Sequence, residues 1–415
     1  MTIITDKIVF GGKSFAKING KSVFIPYAIP GEQLEIEIVK SKNDWDEAKI
    51  IKILKPSPSR ITPPCKYYEE CGGCNMMHIE SSMQKKLRME MLYEVFLQNK
   101  IELGKDGNGG NIEIAEGNDF NYRCRFQLNN GGLCKRESNE TVQIYECLCA
   151  EKAVNDYLKS TAFTERPKGR IHIFGSERII SEKKVIIEEQ KEEFSNKTSQ
   201  RIIGNKKKKL NLKSNNYFAG TVQNETNCVT LRLGDKDLSF DARGFFQSNL
   251  NVFEKVINLI IENLHSGETV LDMYSGCGSI SVFLAKKFNK VLLVEHNRDA
   301  LVYAEKNMSG INHVSYGLSG KNWVENCSNS EGKIDACVVD PPRLGMEKEV
   351  LNYLCKAKIK QIAYLSCNPA TQARDCKKLL ENGYIIKKTY LCDFYPNTSH
   401  IESLLILEQK SENGD

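Results

Sequence analysis

The sequence predicts three parts: a small β-barrel at the N-terminus, a central α+β segment around clustered cysteines, and a C-terminal α/β unit with a doubly wound parallel sheet. Three observations carry this. Residues 6–54 break into short runs of alternating apolar residues with turn signals between them. Cys65, Cys71 and Cys74 stand close together after a Pro-rich run. From about residue 250, helical and strand-like stretches alternate, and the apolar strands end at glycine or acidic residues, as a parallel sheet requires. The expected boundaries are 1–57, 58–243 and 244–415.

The first part divides into KIVFGG, KSFAKING, KSVFIPYAI, EQLEIEIVKSK and WDEAKIIKIL, with turns at Gly11-Gly12, Asn19-Gly20 and Pro30-Gly31. Five short strands make a small barrel, an architecture that serves either as an RNA-binding face or as a protein-contact module. KPSPSRITPP reads as a linker. The middle contains a helix at 79–99 and the strand-like runs GRIHIFGS, KKVIIEEQ and CVTLRLGDKDLSFDA.

A length of 415 residues exceeds what one core usually supports. No apolar run approaches the roughly 20 residues of a bilayer span, and MTIITDKIVFGG lacks the pattern of a secretory signal, so a cytoplasmic protein without membrane contact is expected. Fifteen cysteines in such a chain point to metal binding or catalysis rather than disulfides. The net charge of +5 is modest, but Lys206 to Lys209 form a basic block, and Arg123, Arg125 and Lys135 share one stretch; both are candidate phosphate contacts.

In VLDMYSGCGSIS a strand ends at Asp272 and runs through Gly276 and Gly278 into a helix. Glycines there allow a tight turn and close approach to a ligand. The next strand, VLLVEH, ends at Glu295, 23 residues after Asp272, close to the spacing at which an acid meets a ribose hydroxyl. Ser281 stands where a dinucleotide fingerprint has its third glycine, which disfavours a dehydrogenase and favours S-adenosylmethionine.

Three later strands bring chemistry to the same sheet edge: DACVVDPPR ends at Asp340, IAYLSCNPATQARD near Cys367, and TSHIESLLIL places His400 and Glu402 on one face by period-two spacing. Singly, these are a packing cysteine, a turn-shaping aspartate and a surface glutamate. Together they suit methylation at carbon 5 of uracil. Thiolate attack on carbon 6 turns the ring into an enolate-like nucleophile, and a base then removes the carbon-5 proton. A free cysteine with a pKa of about 8.5 needs activation for this role. Asp340 could recognise the polar edge of the ring.

FFQSN at 245–249, LDMYSGCG, DPPRLG, SCNPATQARD and DFYPNTSHIES resemble the bacterial RNA uracil-5-methyltransferases, which act on tRNA or 23S rRNA, and the N-terminal part resembles a TRAM domain. The resemblance implies a Rossmann-like S-adenosylmethionine methyltransferase domain, a TRAM/OB-like barrel and an iron–sulfur central domain. It implies that Cys367 is the nucleophile and Glu402 the base, and that Gln247, Tyr274, Glu295 and Asp340 meet S-adenosylmethionine. Ring recognition by Asp340 is then a rival assignment. Phe245 would stack on the flipped base, with Arg123 and Arg125 as RNA contacts.

The C-x5-C-x2-C spacing of Cys65, Cys71 and Cys74 suits zinc and iron–sulfur equally. The family pattern adds Cys147 and implies a 4Fe–4S cluster, with Cys149 as the rival fourth ligand; because methylation has no redox step, the cluster is expected to be structural or to help shape the RNA surface. Barrel and cluster together favour 23S rRNA over the tRNA T-loop, and a monomer is expected. Arg343 after Asp340-Pro341-Pro342 departs from the D-x-P-C of cytosine-5 enzymes and from the aromatic of amino-group enzymes. The x5 gap departs from the C-x3-C-x2-C of radical enzymes. A catalytically silent RNA-binding protein is the alternative from another class.

Overall fold

The structure is a computed structural model that describes residues 1–104, 111–189 and 228–410. The basic block at 206–209 lies outside the described residues.

At the N-terminus, β1 (Thr2–Ile4), β2 (Lys7–Ile8), β3 (Ser14–Ile18), β4 (Lys21–Ile25), β5 (Gln33–Ser41) and β6 (Trp45–Lys55) form one sheet in the order β1-β5-β6-β4-β3-β2. The order begins and ends on consecutive pieces of residues 2–8. β1 is a strand beyond the five expected, and the run KIVFGG contributes only two residues. The break comes at Thr5, whose hydroxyl donates to Ile29 O (2.6 Å), after which Asp6 N turns to Phe15 O (2.8 Å). Three register shifts between β5 and β6 bend that pair, as bulges do. Ile3, Ala16, Val23, Ile25, Leu34 and Ile36 fill the interior. The Pro-rich run after β6 is tied down, because Arg60 donates to both carboxylate oxygens of buried Glu32 (2.5 and 2.7 Å).

The middle contains α1 (Ser81–Gln98), β7 (Glu113–Ala115), β8 (Arg125–Asn129), β9 (Leu133–Cys134), β10 (Thr141–Val142), α2 (Lys152–Ser160), β11 (Arg170–Gly175), β12 (Val185–Glu189), β13 (Cys228–Leu233) and β14 (Lys236–Asp241). β12-β11-β8 form an antiparallel sheet, while β9-β10 and β13-β14 are two-stranded ribbons. α2 packs Val154 and Leu158 against Ile171 and Ile173 of β11.

The C-terminal part runs α3 (Leu250–Asn263), β15 (Gly267–Met273), α4 (Ser281–Leu284), β16 (Phe288–Val294), α5 (Arg298–Asn307), β17 (His313–Tyr316), α6 (Gly320–Asn326), β18 (Ala336–Val339), α7 (Lys348–Ala357), β19 (Gln361–Ser366), α8 (Pro369–Glu381), β20 (Tyr384–Cys392) and β21 (Glu402–Gln409). Its eight-stranded sheet has the order β17-β16-β15-β18-β19-β21-β20-β7. The first five strands are parallel, and β21 is inserted antiparallel to both neighbours, so the sheet is mixed rather than wholly parallel. Successive strand residues face opposite layers: Val338 meets the core of α3 and α5, while Cys337 and Val339 meet that of α6, α7 and α8.

The expected border at 243/244 is not a break in packing. β7 adds the eighth strand to the C-terminal sheet, beside β20. α1 buries Leu87, Met91, Leu92 and Phe96 in the layer that also contains Leu379 of α8 and Leu391 of β20. Among the described residues, no helix is long and apolar enough to cross a membrane.

Candidate active site

β15 ends in a turn that leaves the sheet through Tyr274, a non-glycine residue at φ +67°, followed by Gly276 at φ +56°. A Cβ on Gly276 would meet nothing within 4 Å, so the backbone there faces open space. Glu295, just after β16, stands across the turn: one carboxylate oxygen accepts from Gly276 N (3.0 Å) and the other from Asn297 N (2.6 Å). Asp272 lies beneath, bonded by the Ser281 hydroxyl (2.5 Å), and burial with Glu295 nearby pushes its pKa up to about 7. Tyr274 receives Glu347 N–H on its hydroxyl (3.1 Å). Gln247 is buried, and its Oε1 has no hydrogen-bond partner; buried Ser275 Oγ in the turn is equally unpartnered. Orphaned polar atoms around an open glycine turn are what a polar ligand would satisfy.

The chemical residues sit further along the same edge. Asp340 follows β18, and its N–H reaches Met273 O (3.5 Å), tying the DPPR segment to the turn after β15. Cys367 follows β19. Glu402 begins β21 and reaches this edge because that strand runs the opposite way. The β19–β21 ladder ends at Ser366 with Ser403, so Cys367 and Glu402 are the next residues across from each other. Cys367 also immediately precedes Asn368, the N-cap of α8, whose side chain accepts from Ala370 N; a helix N-terminus favours a thiolate. Burial and the carboxylates of Glu402 and Asp340 push the Cys367 thiol up to about 11, with Arg343 opposing them. Burial, then Asp340, pushes Glu402 up to about 8, again with Arg343 opposing. Desolvation holds Asp340 at about 7.

His400 departs from expectation. The strand begins only at Glu402, so His400 does not share its face. A Thr398 turn interrupts the run: its hydroxyl donates to Tyr395 O (2.7 Å) and accepts from His400 N (3.2 Å). The imidazole is exposed and lies edge-on to Tyr395.

Several residues that position this site carried no warning in the sequence. Gln372 of α8 donates to Tyr364 O and Ser403 O and accepts from the Ser403 hydroxyl, clamping β19 to β21 one residue from the Cys367/Glu402 step. Asp375 receives Tyr364 OH and Met346 N (both 2.9 Å) and pairs with Arg374, which also donates to Leu344 O, so the DPPRLG loop is pinned from α8. Arg88 of α1 makes a buried ion pair with Asp393 (2.6 Å) at the start of the loop leading to Glu402. In FFQSN, Phe246 stacks in the core on Phe240 and Asn249 caps α3.

Phe245 is 71% exposed. Arg123 lies over the rings of Phe126 and Tyr395, and Arg125 donates to Gly244 O (2.8 Å), so its contact visible here is to the backbone that carries Phe245. Lys135 pairs with Glu140 (2.8 Å).

Cys65, Cys71, Cys74, Cys147 and Cys149 line a single cavity of about 440 Å³, with Cys134 at its wall. Cys74 and Cys149 sulfurs lie 3.8 Å apart, and Gly73 N–H points at Cys71 Sγ (3.4 Å). Asn155 holds the Cys147 backbone by both its N–H and its carbonyl (2.8 and 2.9 Å). As placed, no three His, Cys, Asp or Glu side chains among the described residues are close enough to hold one metal ion.

Residues 178–316 and 324–410 match the family described as tRNA (Uracil-5-)-methyltransferase. An RNA methyltransferase of Treponema denticola is 36% identical, over 98% of both chains. The 23S rRNA (uracil(1939)-C(5))-methyltransferase of a Shewanella species is 29% identical, over 96% of this chain and 93% of its own. Among solved structures, Pyrococcus abyssi tRNA (uracil-54, C5)-methyltransferase in complex with S-adenosyl-L-homocysteine superposes with a TM-score of 0.70 at 21% identity, over 98% of this chain and 100% of the other.

Proposed function

The chain belongs to the RNA uracil-5-methyltransferase family, and on that premise we propose that it transfers a methyl group from S-adenosylmethionine to carbon 5 of a uridine in RNA, with Cys367 as covalent nucleophile and Glu402 as base. The observation that carries this reading is the β19–β21 register, which sets a thiol and a buried carboxyl side by side at the edge where the cofactor turn opens.

The residues present fit the cofactor: Gln247, Ser275 and the open Gly276 turn offer unsatisfied polar atoms and space, Glu295 faces the turn, and Tyr274 and Asp340 flank it. When bound, S-adenosylmethionine would supply an electrophilic methyl group and a positive charge, which favours the ionised form of carboxyls such as Asp272, Asp340 and Glu402, whose pKa values burial has raised. Asp340 serves the cofactor in this assignment rather than the uracil ring.

Cys367 gives its proton to solvent and adds as thiolate to uracil C6, giving an enolate whose C5 takes the methyl group as the S–CH3 bond breaks and the sulfonium becomes a neutral thioether. Ionised Glu402 then removes the C5 proton, the C5–C6 double bond re-forms and the thiolate leaves. The base must leave its stack to present C6 to the thiolate; Phe245, the expected stacking ring, is exposed but lines a cavity that neither Cys367 nor Glu402 lines, so stacking on the target base is not assigned to it.

The cysteine cavity has the all-thiol donor set of a 4Fe–4S cluster, which Cys65, Cys71, Cys74 and Cys147 would hold. The Cys74–Cys149 contact keeps Cys149 a competitor for the fourth place. Methyl transfer balances without electrons from it, so its role is structural. The N-terminal sheet is read as a TRAM-like barrel that contacts RNA. Because the whole sheet edge lies within one chain, we assign activity to a monomer.

For the RNA, 23S rRNA is favoured by the Shewanella relative. The barrel no longer separates the alternatives, since a protein named for tRNA uracil-54 shares the architecture along nearly the full length. Mapping 5-methyluridine in rRNA and tRNA of a deletion strain decides between them. Cys367→Ala should abolish both methylation and the covalent adduct with RNA containing 5-fluorouridine; an adduct that persists refutes the mechanism.

A further inference from the structure

A second cavity, of about 360 Å³, lies where β8 and β11 meet the end of β14 and the start of α5. None of Gln247, Tyr274, Glu295, Asp340, Cys367 and Glu402 lines it, but Phe245 does. Gln127 and His172 are directly paired across β8 and β11, so their side chains leave the same face next to each other. His172 is only 9% exposed, and its Nδ1 has no hydrogen-bond partner, although it lines the cavity. Burial, with Arg125, Arg170 and Arg243 around it and only Asp241 opposing, holds its imidazole below the ordinary value, which favours the neutral ring. A neutral imidazole can donate or accept one hydrogen bond through Nδ1, depending on the tautomer.

Arg243 is oriented by two bonds to Asp241 (3.0 and 2.7 Å), and the backbone before Phe245 is held by Arg125. The pocket therefore combines an exposed aromatic ring, an oriented guanidinium, an amide and an unsatisfied buried imidazole, in a volume suited to a small ligand. Proteins that read unpaired RNA splay bases onto aromatic or guanidinium planes and bond their edges with such groups.

We infer that this cavity is a subsite for a second unpaired nucleobase of the RNA substrate, stacked against Phe245 and read at its edge by Gln127 and His172. The inference rests on the RNA-modifying reading above and deepens it: the bound loop gives up two bases, the uridine to Cys367 and a neighbour to this pocket. Selection of the RNA would then come partly from a base that is never modified.

The test uses two hairpin transcripts, one from 23S rRNA around the uridine named for the Shewanella relative and one tRNA T-loop hairpin, each carrying single abasic sites at the three positions on either side of the target uridine. Binding to the full-length protein is read by fluorescence anisotropy, and methylation of the intact hairpins is scored separately. In the bound hairpin, one flanking abasic site should weaken wild-type binding about tenfold to hundredfold. In Gln127→Ala and in His172→Ala that penalty should shrink toward unity, while the penalties at other positions persist. Gln127 is exposed, so its replacement keeps the test independent of any folding defect in His172→Ala. If no flanking position matters in either hairpin, or the variants keep the full penalty, the subsite is refuted. If the penalty behaves as expected but neither hairpin is methylated, the subsite stands and the proposed reaction fails for these RNAs.

Discussion

Replacing Glu402 by glutamine removes a carboxyl that the fold resists ionising. Its pKa is raised from an ordinary 4.5 to about 8, chiefly by burial and then by Asp340. In the unfolded chain the group loses its proton near the ordinary value, whereas in the folded chain it keeps it until about pH 8. Folding stability therefore falls as pH rises between these limits and levels off above the upper one. At about 1.4 kcal/mol per pKa unit, the cost in the wild type is roughly 3 kcal/mol at pH 7 and approaches about 5 kcal/mol at pH 9. Glutamine has nearly the same shape and carries no charge. The advantage of Glu402→Gln over wild type in urea unfolding, without cofactor, should thus grow from near zero at pH 4 to several kcal/mol at pH 9. A difference that stays flat with pH would refute the argument that this carboxyl is buried without a compensating partner. The same variant lacks the base, so it should stop after methyl transfer and accumulate a protein–RNA adduct on denaturing gels. Turnover at the wild-type rate would remove Glu402 from the mechanism.

Two further substitutions separate support from chemistry. Arg88→Ala strands the buried Asp393 carboxylate and should cost about 3–5 kcal/mol in urea unfolding; a loss below about 1 kcal/mol would show that the pair does not hold the loop before Glu402. Gly276→Ala places a methyl group in open space at φ +56°, so it should cost only about 1–2 kcal/mol of backbone strain while weakening S-adenosylmethionine binding at least tenfold by calorimetry. Unchanged cofactor affinity would move the cofactor away from this turn.

What the sequence made legible was whatever repeats locally. The β15 and β16 strands, their terminal Asp272 and Glu295 and the glycine turn between them follow from apolar runs that end at acidic residues, and the turn is formed as those patterns require. The antiparallel direction of β21 was not readable, because an apolar run such as SLLILE fits either orientation; pairing alone decides it. His400 was misplaced for a related reason. Period-two spacing says that two residues share a face only while the chain remains a strand, and the Thr398 hydroxyl ends that condition. Packing across the 243/244 border was not readable, because α1 and β7 reach over more than 250 residues of sequence to α8 and β20, and no local signal encodes such a contact.

The same distinction explains which motif residues perform chemistry. In SCNPATQARD, Cys367 is the proposed nucleophile, while buried Gln372 and Asp375, with exposed Arg374, hold β21 and the DPPRLG loop. In DFYPNTSHIES, Glu402 is the proposed base, and Asp393 and Asn397 fasten the loop to Arg88 and Gln84 of α1. In the proposed reaction a thiol and a carboxyl act in turn at the two ends of the C5–C6 bond and need fixed relative positions, and two strand ends joined by one ladder provide them. Slippage of β21 by one residue would turn Glu402 to the other face of the sheet. The Gln372 clamp at Ser403, one step from the reactive pair, resists that slip, so these long motifs are specific because each contains both the reacting group and the groups that hold its register.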